Sequence, residues 1–138
     1  MKMNIAEILD RWSICKLKLE RIGEVARKEF TELDSALLEE EKIILEKYPN
    51  FPIKQMKDYL YSVNDAIWQC EAGLKSGKEK LVNPSYLFDQ ANNDALIRIG
   101  TATLIIRNFN ELRVKYKNFI ISLLQDGHAD IKKNHCSE

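Results

Sequence analysis

A chain of 138 residues, 45% hydrophobic and 30% charged, has the length of one domain and enough apolar material for a packed core. Its 21 Lys and Arg balance its 21 Asp and Glu, so no excess positive charge is available to follow a phosphate backbone, which argues against general nucleic-acid binding. No stretch approaches the roughly 18 apolar residues of a membrane span, and Met1-Lys2-Met3-Asn4 leads into an amphipathic pattern rather than a signal-peptide core. A soluble, cytoplasmic protein is the expectation.

The first helix is expected from Asn4, which can cap it, with Glu7 three residues on as in a capping box. Its apolar stripe runs Ile5, Ile8, Trp12, Cys15, Leu19, Ile22, Ala26, Phe30, Leu33, Leu37 and Ile44 in steps of three and four. Gly23 interrupts that series and marks either a kink or a break into two helices. Ile14, Leu17, Val25 and Ile43 lie off the stripe, and a helix apolar on two faces sits centrally or meets a second chain. Tyr48-Pro49-Asn50-Phe51-Pro52 forces a turn, and Pro52 can open the next helix. That helix carries Ile53, Met56, Leu60, Val63, Ile67, Cys70 and Leu74 and is expected to end at Gly73 or Gly77.

After a polar connection, Asn83-Pro84 reads as the start of a last long helix and Gly127 as its stop. Its expected stripe is Ala91, Arg98, Ala102, Ile105, Phe109, Leu112, Tyr116, Phe119 and Leu123. At about 1.5 Å per residue an unbroken first helix and this last one would each span roughly 60 Å, and the middle helix about half that. Either the first helix breaks at Gly23 and folds back, or a second subunit covers the remainder. The expected fold is therefore all-α: an antiparallel helical bundle of three long helices, or four if the first one breaks, with coiled-coil-like packing. Residues 1–126 form the single domain, and the tail 127–138 has little to bury and is read as disordered.

Catalytic constellations are scarce. The histidines, His128 and His135, stand in the tail, which removes the base from Ser-His-Asp and Cys-His sites and the ligands from a di-iron bundle. The tail cluster of His128, His135 and Cys136 is read as a plain tail rather than a metal site. Cys15 and Cys70 fall on apolar stripes and read as small buried hydrophobes, with neither a disulfide framework nor a zinc ribbon expected. Gly73-Leu-Lys-Ser-Gly77-Lys78 is one residue short of a phosphate loop and follows a helix. Glu29 and Glu32 supply half of the paired acidic motif of an all-α, Mg²⁺-dependent nucleotide phosphohydrolase; the one Glu-x-x-Asp, Glu7 to Asp10, comes too early in the chain. No metal or cofactor is expected.

The polar residues on or beside the stripes are the candidate ligand-binding set. Asn64, Trp68 and Glu71 form one line on the middle helix, Lys16 and Glu20 border the first stripe, and Arg98 interrupts the last, with Asp94 one turn away. An arginine there must meet a carboxylate, carbonyls or a bound anion, because its charge cannot be titrated away. Arg107, Asn110 and Lys117 make a second line opposite the expected stripe, with Arg113 beside it, and their donors suit a phosphate or carboxylate.

Asp10-Arg11-Trp12-Ser13-Ile14, followed by Lys18-Leu19-Glu20-Arg21-Ile22 and then Asn64-Asp65-Ala66-Ile67-Trp68-Gln69-Cys70-Glu71, resembles a group of small uncharacterised helical proteins from bacteria and phages. Asn108 to Asn118 is similar to their C-terminal helix. The resemblance implies a helical bundle and draws notice to Lys16, Glu20, Asn64, Trp68 and Glu71 without giving them a role. The reading reached is a non-enzymatic interaction protein that self-associates into a homo-dimer or higher oligomer through helical faces and holds a small anionic ligand. The alternative is the metal-dependent phosphohydrolase.

Overall fold

Asn4 accepts a hydrogen bond from the Glu7 backbone N–H at 2.9 Å, and this cap starts α1, Ile5–Arg21. The computed structural model describes residues 3–75 and 90–125. All regular elements among them are helical: α1, a short 3-10 turn at Glu24–Ala26, α2 (Arg27–Lys47), α3 (Ile53–Lys75) and α4 (Gln90–Gln125).

The first helix does break. Gly23 adopts φ 108°, a left-handed conformation that side chains with a Cβ rarely enter, and it turns the chain back on itself. The break explains why Ile22, on the expected stripe, is 57% exposed: the stripe ends one residue before the turn. Ala26 then packs with Cys15 and Leu33 in a small cluster beneath the turn. After the Pro49–Pro52 turn α3 begins at Ile53, one residue past Pro52, and it runs through Gly73. The expected helix start at Asn83-Pro84, the polar connection 76–82, a helix end at Gly77, and the Gly127 stop with its tail lie outside the described residues.

Side-chain pairings fix the directions. Trp12 of α1 meets Phe30 and Asp34, so α1 and α2 are antiparallel. Lys16 lies over Tyr61 and Arg21 pairs with Asp65, so α1 and α3 run together. Tyr59 stacks on Tyr116 at 4.1 Å, and Asp10 meets Arg113, so α4 runs against both. The result is an up-down-up-down bundle. Nine of the 17 residues of α1 are buried against three of the 21 of α2, so α1 is the central helix and α2 lies outermost. This answers the two-faced pattern: Leu17, off the main stripe, is 1% exposed between α3 and α4, while Val25 and Ile43 remain outside. The main core joins Ile5, Leu9 and Trp12 to Leu37, Met56, Leu60, Ile120 and Leu123.

The face of α4 differs from the expected one. Half of the expected stripe does turn inward, Leu123 buried and Ala102, Phe109 and Tyr116 partly so, but the inward face continues on the other side, with Ala95 and Ile120 buried and Ile106, Asn110, Arg113 and Lys117 partly buried. Ile105, Leu112 and Phe119, all on the expected stripe, stay 37%, 44% and 39% exposed, and Arg98 is exposed as well. Cys70 is half-buried rather than buried.

A Cβ at Gly23 would touch nothing within 4 Å, so a substitution there tests backbone conformation alone. Gly23→Ala is expected to lower the unfolding free energy by about 1–3 kcal/mol in urea denaturation, without loss of helical content. Unchanged stability would show that the turn does not require a left-handed residue.

Candidate functional site: a buried charge network beneath an interhelical cleft

Asp10 sits on α1 between Leu9 and Trp12, and it is 1% exposed. An isolated carboxylate at that depth would be costly, so its partners decide the local structure. The Arg113 guanidinium donates to it twice, Nε to Oδ1 at 2.8 Å and Nη2 to Oδ2 at 2.8 Å. The Asn64 amide donates to Asp10 Oδ1 at 3.1 Å and to Ser13 Oγ at 2.8 Å, while the Ser13 hydroxyl donates to the Asp10 carbonyl at 2.8 Å. Lys117 Nζ lies 3.5 Å from Asp10 Oδ2 and 2.7 Å from Glu7 Oε2. Arg113 Nη1 completes the set by donating to Asn110 Oδ1 at 3.0 Å. One carboxylate thus ties together α1, α3 and α4.

Burial pushes the Asp10 carboxyl up, but the hydrogen bonds from Arg113 and Asn64 and the charges of Arg113 and Lys117 outweigh it and hold the group below the usual carboxylate range. The Lys117 hydrogen bond likewise leads in holding Glu7 low, against its partial burial.

Over this network opens a cleft of about 240 Å³. It is lined by Ile14 and Leu17 of α1, Asn64, Ile67, Trp68 and Glu71 of α3, and Asn110 and Arg113 of α4. Five of the residues singled out from sequence therefore converge: Asn64, Trp68, Glu71, Asn110 and Arg113. The others lie elsewhere. Lys16 rests over Trp12 at 5.1 Å and Tyr61 at 5.3 Å, and Glu20 accepts the Tyr61 hydroxyl hydrogen bond. Asp94, Arg98 and Arg107 are exposed on α4 and line no part of the cleft. The arginine that enters the bundle is Arg113 and not Arg98. The partial rotation of the face of α4, toward Ile106, Asn110 and Arg113 and away from Ile105 and Leu112, follows from the charge that Asp10 buries on the opposing helix.

Asp10 and Ser13 are absent from the expected site, and Lys117, expected in a line with Arg107 and Asn110, turns to Asp10 and Glu7 instead of to a ligand. A signal for Asp10 and Ser13 is present in the sequence: with Leu17 they stand three and four apart on the second face of α1. Glu29 and Glu32 are exposed on α2, and among the described residues no group of three or more His, Cys, Asp or Glu could hold a metal ion. The facing acidic pairs that a phosphohydrolase needs are not assembled there. No helix among the described residues is long and apolar enough to cross a membrane. Compared with known proteins, the chain matches no family model, and neither a curated protein nor a solved structure matches it.

The depressed Asp10 carboxyl contributes stability that is present above its unfolded value of 3.8 and lost as pH falls through the lower folded value. Urea denaturation from about pH 6 to pH 2 should therefore show wild-type stability falling in acid, with Asp10→Asn less stable at neutral pH and flatter below about pH 4. Parallel curves for the two proteins would show that Asp10 gains nothing from its partners.

Proposed function

We propose that this chain is a helical interaction protein that works by associating with further copies of itself, and not by catalysis. The outer face of α4 carries the reading. Ile97, Leu104, Ile105, Leu112 and Phe119 are 66%, 50%, 37%, 44% and 39% exposed on a 36-residue helix, Ile97 and Leu104 seven residues apart and Ile105, Leu112 and Phe119 seven apart in an adjoining line. Such a spacing keeps them on one side, and an exposed apolar row of that length favours a partner surface over bulk water. At about 1.5 Å per residue α4 extends roughly 54 Å, well beyond the roughly 35 Å of the 23-residue α3 beside it. Thr101, Asn108 and Lys115 interleave the row, which suits a reversible association better than a dry, permanent seam.

A second uncovered set, Leu38, Ile43 and Leu45, lies on α2, which buries three of its 21 residues. The free thiols of Cys15 and Cys70 suit a reducing compartment such as the cytoplasm.

Light scattering at micromolar concentration is expected to return twice the chain mass or more. Introducing Leu104→Glu together with Leu112→Glu should return the monomer mass with the helical circular dichroism unchanged, because both side chains already face outward. A monomeric wild type over that range would contradict the proposal.

A further inference from the structure

We propose that the cleft between α1, α3 and α4 binds a small organic cation, an alkylammonium or guanidinium head group, rather than the anion that its arginine suggests. The argument is one of charge and donor accounting. Arg113 spends three of its five N–H hydrogens within the bundle, those of Nε and Nη2 on Asp10 and one of Nη1 on Asn110, so the edge that would grip an anion in two-point fashion is already taken by a carboxylate. In the network behind the cleft Arg113 and Lys117 face Asp10 and Glu7, and Glu7 is also paired on its solvent side by the exposed Arg11, so both of these carboxylates are matched. Glu71 is left over: it lines the cleft, is half-buried, and takes no hydrogen bond or ion pair among the described residues. An anion entering here would compete with the buried Asp10 for Arg113 and meet the Glu71 charge. A cation would complete the charge that Glu71 lacks.

The other lining groups agree. Both amide hydrogens of Asn64 are directed inward, to Asp10 and Ser13, so its carbonyl oxygen is the atom left to accept from a ligand. Trp68 supplies an electron-rich ring, and Arg21, 5.7 Å from its centroid, shows that the ring already accommodates a guanidinium. Arg21 is itself held by Asp65, so it does not neutralise Glu71. Ile14, Leu17 and Ile67 provide an apolar wall for a short methylene stem. The volume, about 240 Å³, is below the roughly 300–1,000 Å³ of drug-sized sites and fits one head group with a few carbons. Such a head group could arrive as a free amine or as the side chain of a lysine or arginine on another protein.

The test is a titration of the ¹⁵N-labelled full chain, followed at the indole N–H of Trp68. Butylammonium and propylguanidinium are expected to move this resonance saturably at millimolar concentration, while acetate and inorganic phosphate leave it in place. The Trp12 indole, buried and bonded to Asp34, serves as the internal control. Glu71→Gln, a change on a half-buried helix face, should preserve the rest of the spectrum and weaken binding by about tenfold or more. Capped tripeptides carrying a central lysine or arginine distinguish the sources: binding equal to that of the free cations marks a side-chain ligand, and binding of the free cations alone marks a small molecule. Absence of a saturable shift, an unchanged affinity in Glu71→Gln, or a phosphate shift equal to that of the cations would overturn the proposal.

Discussion

Asp10 is a carboxylate in the middle of the bundle's central helix, and the remainder of the structure accommodates it. Its neighbours Leu9 and Trp12 are buried in the main core, so the carboxylate cannot reach solvent without dismantling that packing. A charge at that depth is tolerated only when it is paired and hydrogen-bonded. Asn64 on α3 and Arg113 and Lys117 on α4 meet this requirement, and each of those helices is thereby constrained in rotation about its own axis. Apolar contacts supply the bulk of the driving force, but they are non-directional, and the apolar residues of α4 could have been buried along more than one line.

Much of the architecture was legible because it is set locally. The Asn4 cap, the interruption at Gly23 and the double-proline turn each depend on residues within a few positions of one another. The stripes of α1 and α3 are legible for a related reason: nearly every residue at three-four spacing in them is apolar, and the second apolar face of α1, at Ile14 and Leu17, is covered as well because that helix is central. In α4 two faces compete. Both share Ala102, Phe109, Tyr116 and Leu123; the edge read from sequence adds Ile105, Leu112 and Phe119, the edge that turns inward adds Ile106, Asn110, Arg113 and Ile120, and local periodicity cannot decide between them. The deciding group is Asp10, 103 residues from Arg113 in sequence, and a pairing at that separation leaves no periodic trace.

The same displacement rearranged the candidate site. With Arg98 outside and Arg113 inside, the residues that meet are those of the Asn64, Trp68 and Glu71 line together with Asn110 and Arg113. The expectation of a bound anion rested on arginine and amide donors being available. In the folded chain the bidentate edge of Arg113 is engaged by Asp10 and a further N–H by Asn110, and the unmatched charge at the cleft is that of Glu71. Rotation of α4 also accounts for Ile105, Leu112 and Phe119 in the outward apolar row on which self-association is proposed, where they adjoin Ile97 and Leu104.

A double-mutant cycle on Asp10 and Arg113 tests most directly the claim that this pair sets the face of α4. Asp10→Asn and Arg113→Met, measured singly by chemical denaturation, are each expected to cost about 3 kcal/mol, since each strands a charged or strongly polar partner within the bundle. The double variant is expected to cost less than the sum by about 1–3 kcal/mol, the range for groups in direct contact. Costs that add to within about 0.5 kcal/mol would mean that the two residues act independently, and the account of α4 would fail.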